Sequence, residues 1–361
     1  MPIITYVREN VQVEIPEGDS VRYPALENDV PIYCGMWKFA NCHGNGLCGT
    51  DATEYTKGPM MVPLTVPHRG SGHVGATILG HEFIGTVVAT SSGTDEWAGL
   101  RVASGAGVSC GECTWCRRGR TNLCAGYYTL GLSTHGGLAE LVSVPASTLR
   151  RIPDACSDVD AALAQPLAVG LHGVRRSGVQ PGDTVVVLGA GAIGSFILAG
   201  LAGHDGRVVA LDIDAGRLET ARTLGATDTH LIDRDTEPHQ LRDLVPDGVE
   251  VVIESSGVPG GAARALALAA RGGSVLLVGL TQTPQALKLS DVVLQEIDIR
   301  TTVAHVCDTD LPAALELLAE RPLAPVLVDR VVPLEDVVQD GFDPLAAGTV
   351  HGKVLVEPRR G

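Results

Sequence analysis

Short β-type runs separated by turn residues fill the first half of the chain, whereas apolar runs followed by long alanine- and leucine-rich stretches fill the second. Up to about Pro166 the apolar residues come in runs such as Phe83–Thr90 and Ala139–Val144, punctuated by Gly and Pro. That spacing predicts an irregular β-rich unit over residues 1–166. From Asp183 to Val303 the pattern predicts strands at Thr184–Leu188, Val208–Asp212, Val251–Glu254 and Ser274–Val278 with helices between them. Strand and helix in alternation predict an α/β fold, a doubly wound parallel sheet over 167–305 with its ligand at the carboxyl ends of the strands. The last part, 306–361, offers one helix after Leu311 and strands at Val326–Val332 and Lys353–Glu357, and is expected to fold back on the first unit.

The run Val185–Gly203 is apolar or glycine apart from Ser195 and approaches the length of a membrane span. Its glycines argue for a buried strand, a tight turn and a buried helix instead. Within it Gly189, Gly191 and Gly194 form Gly-x-Gly-x-x-Gly directly after a strand, and Asp212 ends the next strand, eighteen residues beyond Gly194. The first glycine allows the turn, the second lets the backbone approach a pyrophosphate, the third lets helix and strand pack closely, and the helix N-terminus attracts phosphate. With 44 glycines in the chain the triplet alone is weak, and its context carries the dinucleotide reading. A carboxylate at 212 would accept hydrogen bonds from both adenosine ribose hydroxyls and repel a 2′-phosphate, which favours NAD over NADP.

Composition narrows the classes. With 361 residues, 45% of them apolar, the chain can bury a large core, and 27 basic against 42 acidic residues give a net charge of −15. No basic block stands out, so nucleic acid and anionic membrane are not expected as partners. Met1–Asn10 lacks the pattern of a targeting segment, which makes cytoplasm the expected compartment.

Nine cysteines are an odd number, and four fall within fifteen residues as Cys110, Cys113, Cys116 and Cys124. Thiols stay reduced in the cytosol, so a metal explains this cluster better than disulfides. Four thiolates satisfy tetrahedral zinc and leave no open position, the arrangement of a structural metal in a lobe over about 106–126. An iron–sulfur cluster is the competitor, since Cys-x2-Cys-x2-Cys opens one such motif, but that motif continues with x3-Cys-Pro. Here the fourth cysteine lies eight residues on and Ala125 follows it, so zinc is preferred.

Cys48 stands in Cys-Gly-Thr-Asp, and His81 and Glu82 stand in Gly-His-Glu-Phe. With the four-cysteine lobe, Gln165-Pro166-Leu167-Ala168-Val169, the glycine turn, Asp212 and a closing Gly-Lys-Val, the motifs over about Val11–Pro358 resemble the medium-chain zinc-containing alcohol dehydrogenases. The stretch Glu54-Tyr55-Thr56-Lys57-Gly58-Pro59, followed by a long loop to His68, is similar to the butanediol and sorbitol dehydrogenase branch.

The resemblance implies a GroES-like catalytic domain beside a Rossmann domain, and NAD-linked interconversion of a secondary alcohol, diol or polyol with its ketone. It implies that Cys48 and His81 hold a catalytic zinc with Glu82 as a direct or exchanging ligand, and that Ile193 and Arg217 join the glycines and Asp212 at the cofactor. It also implies a homodimer or homotetramer. Thiolate, imidazole and carboxylate suit zinc and leave room for substrate. Asp51 is placed to hold the other His81 nitrogen. Two positions depart from the family pattern: Gln165 stands where a glutamate is usual, and Thr53 where a histidine is frequent.

In the expected mechanism zinc acts as a Lewis acid on the alcohol oxygen and hydride passes to NAD. Thr50 takes the alcohol proton, and His43, His68, His73 or His172 relays it outward. A zinc-free reductase, a nonredox enzyme that holds NAD and oxidises transiently, and a non-catalytic dinucleotide sensor are the alternatives.

Overall fold

A computed structural model of the chain describes residues 3–6, 11–14, 37–91, 95–246, 248–281 and 283–358. The opening segment Met1–Asn10 therefore lies outside the described residues apart from 3–6.

Near the start of the chain β1 (Ile3–Tyr6) and β2 (Val11–Glu14) pair with each other, and the first unit is built on a larger mixed sheet. That sheet takes β3 (Trp37–Leu47), β4 (Glu82–Ala89), β5 (Arg101–Ser104), β8 (Leu141–Pro145) and β9 (Leu149–Arg151). A small ribbon of β6 (Gly107–Val108) and β7 (Tyr128–Thr129) flanks the cysteine lobe, which carries the short helix α2 (Thr114–Arg117). Helix α1 (Gly49–Lys57) leaves β3 directly, and α3 (Asp158–Ala161) and α4 (Ala164–Ser177) lead into the second unit.

The second unit runs β10 (Val185–Leu188), α5 (Ala192–Gly200), β11 (Val208–Asp212), α6 (Ala215–Leu224), β12 (Asp228–Leu231), α7 (Pro238–Asp243), β13 (Val251–Glu254), α8 (Gly261–Leu268), β14 (Ser274–Leu277), α9 (Leu289–Leu294) and β15 (Asp298–Thr301). Its six strands are all parallel in the order β12-β11-β10-β13-β14-β15, so the order reverses between β10 and β13. Ligands of doubly wound sheets bind at such a reversal, outside the carboxyl ends.

Successive strand residues face opposite cores, as period-two geometry requires. Val185, Val187, Ala210, Val251 and Ile253 pack under α4, α5 and α10 (Cys307–Glu320), while Val186, Val209, Leu211, Val252 and Val275 pack under α7 and α8. Burial on both faces explains why these strands read as unbroken apolar runs.

The chain then returns. After α10 come α11 (Ala324–Leu327), β16 (Val328–Pro333), a π-helical turn at Val337–Phe342, α12 (Asp343–Ala347) and β17 (Lys353–Glu357). β17 pairs with β3 of the first unit, and β16 joins β17 at the sheet edge. The expected strand Val326–Val332 begins only at Val328, because Pro325 opens a helical turn that occupies its first residues. No helix of the described residues is long and apolar enough to cross a membrane, and Val185–Gly203 divides into β10, a turn and α5.

Candidate functional site

Cys48 is the N-cap of α1, where β3 ends. Its Sγ accepts the Thr50 N–H at 3.2 Å and its own N–H donates to Asp51 Oδ2 at 3.0 Å, a capping box that fixes the first turn. The Cys48 Sγ lies 3.3 Å from His81 Nε2, and His81 Nδ1 lies 3.5 Å from Asp51 Oδ1. Asp51 is wholly buried and His81 is 8% exposed. Burial opposes a charge on the His81 ring, but Cys48 and Asp51 beside it carry its pKa well above the usual imidazole range. An anionic cradle of this kind suits a cation. Zinc ligands at about 2.3 Å for sulfur and about 2.0 Å for nitrogen sit about 3.5 Å apart. The Cys48–His81 separation fits that edge, and Cys48, Asp51 and His81 bring their ligand atoms within 4.8 Å of one another.

Glu82 opens β4 beside His81, but its Oε2 lies against the Lys353 ammonium from β17. Lys353 also donates to the Leu47 carbonyl at 3.2 Å, and both members of the pair are nearly inaccessible, 3% for Glu82 and 4% for Lys353. A side chain at Gly46 would overlap the Glu82 carboxylate in its present position, so glycine there leaves room for the Glu82–Lys353 pair. Gln165 stands at the second residue of α4, half-buried, and no hydrogen bond among the described residues joins it to Cys48 or His81. Thr50 is half-buried in the first turn of α1, and Thr53 folds back to donate to the Gly49 carbonyl at 2.7 Å.

The four histidines considered as relays have other partners. His43 faces Asp158 at 3.4 Å, His68 accepts backbone N–H groups of Gly70 and Ser71, and His73 meets Thr77 at 2.9 Å. His172 is buried on α4 and faces Asp310 at 3.0 Å.

Cys110, Cys113, Cys116 and Cys124 converge, with Sγ separations of 3.5 Å for Cys113–Cys116, 3.5 Å for Cys110–Cys124 and 4.0 Å for Cys110–Cys116. Tetrahedral zinc thiolates sit about 3.8 Å apart, so the cluster fits that ion. Backbone N–H groups of Cys116 and Ala125 pull the Cys113 thiol down to about 6, while burial pushes Cys116 up to about 11. All described cysteines are free thiols.

At the glycine turn, Gly189 has φ 97°, a left-handed value that favours glycine, and a side chain at Gly194 would run into the Gly189 carbonyl. Gly191 differs. A side chain there would enter open space, in a cavity also lined by Ser195, Arg217, His351 and Lys353, and the first turn of α5 has no side-chain cap. Open space over uncapped helix N–H groups fits a diphosphate. Asp212 ends β11, buried, with Oδ2 accepting the Ala190 N–H at 2.6 Å and Oδ1 accepting Asp214 N–H at 2.9 Å. Arg217 Nη1 lies 3.7 Å from Asp212 Oδ1, and Ile193 is half-buried against the core.

Two contributors escape a linear reading of the chain. Lys353 lines the cavity at Gly191, and its ammonium reaches Glu82 and the Leu47 carbonyl, the chain neighbours of His81 and Cys48. Ser255, after β13, donates to the Gly189 carbonyl at 2.6 Å and braces the turn from behind.

Comparison with known proteins agrees with this geometry. Residues 40–154 match the alcohol dehydrogenase GroES-like domain, and residues 192–320 match the zinc-binding dehydrogenase model. The chain is 30% identical to (R,R)-butanediol dehydrogenase of Bacillus subtilis over 87% of its length and 90% of the relative's. It is 33% identical to the sorbitol dehydrogenase of the same organism over 76% of each chain. The crystal structure of the Bacillus subtilis 2R,3R-butanediol dehydrogenase superposes with a TM-score of 0.82 at 27% identity, covering 91% of this chain and 94% of that one. A GroES-like unit, a parallel dinucleotide sheet and two clusters of zinc-type ligands thus stand in one chain, which belongs to the zinc-binding alcohol dehydrogenase family, oxidoreductases acting on CH–OH groups.

Proposed function

We propose that this dehydrogenase interconverts a secondary alcohol, vicinal diol or polyol with the corresponding ketone, using NAD. The observation that carries the reading is the Cys48–His81 pair at 3.3 Å, beside Asp51, in one chain with the cavity at Gly191. The butanediol and sorbitol relatives support the substrate class. Asp212, whose carboxylate would oppose a 2′-phosphate, supports NAD.

Cys48 and His81 would hold a catalytic zinc, with Glu82 as an exchanging ligand and Gln165 as a further candidate at the position where a glutamate is usual. Bound zinc supplies Lewis acidity to the alcohol oxygen and bound NAD the hydride acceptor. The chain does the rest. The Asp51 carboxylate stands 3.5 Å from the outer nitrogen of His81, a charge that favours a proton there and leaves Nε2 for the metal. The Thr50 hydroxyl receives the alcohol proton and releases it toward cofactor ribose or water. Gly189, Gly191, Ile193, Gly194, Asp212 and Arg217 hold the dinucleotide, and approach of the two units excludes water. Cys110, Cys113, Cys116 and Cys124 hold a second, structural zinc, since four thiolates leave no site for substrate.

Among the described residues the outer strand β15 leaves one edge unpaired, and Val293, Leu294 and Ile299 beside it are exposed at 72%, 76% and 40%. An apolar, unpaired edge supports association with a second copy, in a homodimer or homotetramer. The free thiols support a cytoplasmic setting.

The test is a zinc count per chain combined with an NAD-coupled screen of secondary alcohols, diols, polyols and their ketones. Two zinc ions and net NADH formation are expected. NAD that copurifies without net turnover would favour transient oxidation, and binding without chemistry would favour a sensor.

A further inference from the structure

The four-cysteine lobe touches the dinucleotide unit through one buried side chain. Asn122 lies in the turn before Cys124 and is 5% exposed. Its Nδ2 donates to the Val303 carbonyl at 2.9 Å and faces His172 Nε2 at 3.4 Å. The His172 ring is neutral, pushed down to about 4 by burial and by Arg175, Arg120 and Arg176. With Nδ1–H donating to Asp310 Oδ2 at 3.0 Å, its Nε2 is left as an acceptor for Asn122. Reversing the Asn122 amide would set its oxygen against the Val303 carbonyl, so the two acceptors fix its orientation.

Asp310 completes the arrangement. Its Oδ2 also accepts the Val306 N–H at 2.6 Å, and its other oxygen lies against Arg175. The loop between β15 and α10 is therefore gripped at both ends, Val303 by Asn122 and Val306 by Asp310, with His172 joining the two grips. Between them Ala304 has φ 48°, a left-handed value that disfavours alanine and persists only where the surroundings impose it.

This loop sits at the carboxyl end of β15. In a doubly wound sheet the two halves each serve one mononucleotide, and Asp212 puts the adenosine on the β10–β12 half. The β13–β15 half, and the loop after β15, then belong to the nicotinamide. We infer that Asn122 is a positioning residue through which the four-cysteine lobe sets the 302–306 loop for the nicotinamide half of the cofactor. The inference rests on the dinucleotide reading above and adds a task to a lobe otherwise assigned to stability.

The experiment compares NADH with ADP-ribose, which keeps the adenosine and diphosphate and lacks the nicotinamide. Asn122→Ala should retain lobe zinc by metal count and bind ADP-ribose within about twofold of the parent, yet bind NADH about fivefold to tenfold more weakly, the effect of one lost buried hydrogen bond. Equal NADH affinity in variant and parent, with lobe zinc retained, would overturn the inference. So would equal weakening for both ligands. Should Asn122→Ala lose its lobe zinc, His172→Gln decides, since it leaves the lobe's own residues intact: a loss confined to NADH supports the inference and an unchanged affinity refutes it. If the parent binds neither ligand, the dinucleotide reading itself is wrong, a result distinct from all of these.

Discussion

Lys353 and Glu82 lie against each other, one from the returning strand β17 and the other from the start of β4, and water reaches neither to any extent. Each makes the other's burial tolerable. A lone charge in that place would cost several kcal/mol, and removal of one partner from a buried pair typically costs about 3–5 kcal/mol. Lys353→Met should therefore lower thermal stability by about that amount, and Glu82→Gln in the same chain should recover part of it. The lone Glu82 carboxylate would also turn to any cation at the neighbouring site. Zinc addition should then raise the melting temperature of Lys353→Met by more than that of the parent. A single variant as stable as the parent would mean that the pair contributes nothing to the fold.

Acid should loosen the chain through two buried histidines. Burial, with Arg175, Arg120 and Arg176 nearby, pushes His172 down to about 4, and burial with His172 and Arg150 pushes His305 down to about 3. Both rings are neutral in the fold and titrate near the usual 6.5 when unfolded, so the unfolded chain binds more protons below 6.5. Stability is fully present above about 6.5 and is lost as pH falls toward 4, a loss that the Asp310 carboxylate 3.0 Å from His172 moderates because it favours the charged ring. Melting temperatures from pH 7 to pH 4 should fall less steeply for His172→Gln than for the parent. Identical slopes would show that the ring is not held neutral.

Asp212 does two things at once, and a change of cofactor preference must deal with both. Its Oδ2 holds the Ala190 N–H of the glycine turn, while its charge opposes a 2′-phosphate. Asp212→Ser alone should weaken NAD binding without much gain for NADP. With Ile213→Arg added, at an exposed position next to it, the ratio of kcat/KM for NAD over NADP should fall about tenfold to a hundredfold, the worth of one charge-assisted contact. Steady-state kinetics with both cofactors checks this, and a parent that used both equally would contradict the reading of Asp212.

How far the sequence could be read depended on where each residue's partners lie. β11 and β13 are buried apolar runs, and their ends at 208–212 and 251–254 follow from the pattern alone. β12, Asp-Thr-His-Leu, and β15, Asp-Ile-Arg-Thr, are the outer strands of the same sheet and are only partly covered, so no apolar run marks them. At the site, Cys48, Asp51 and His81 stood in compact local motifs. Lys353 stood in an equally visible Gly-Lys-Val, but its partner Glu82 reaches it only because β17 and β4 both pair with β3. Asn122 gave no signal at all, being an ordinary turn residue until Val303 and His172 are folded against it.

The last prediction concerns Gln165, where a glutamate is usual. If Cys48 is a thiolate, the charges around the proposed zinc are Cys48 −1, Asp51 −1 and Glu82 −1, offset by Lys353 +1, a sum of −2 against the ion's +2. A glutamate at 165 would bring the sum to −3. A less negative shell leaves zinc the stronger Lewis acid and holds it less firmly. Dialysis against a chelator should accordingly strip one zinc per chain from the parent and leave the four-cysteine zinc, whose ligands close the coordination sphere. Gln165→Glu should slow the loss of the first ion and move the pH optimum for alcohol oxidation upward. Metal counts over the course of dialysis and pH profiles of kcat/KM read both effects. Two zinc ions retained through prolonged chelation of the parent, or a variant unchanged in retention and profile, would mean that Gln165 at the start of α4 does not face the metal and that the fourth ligand comes from elsewhere.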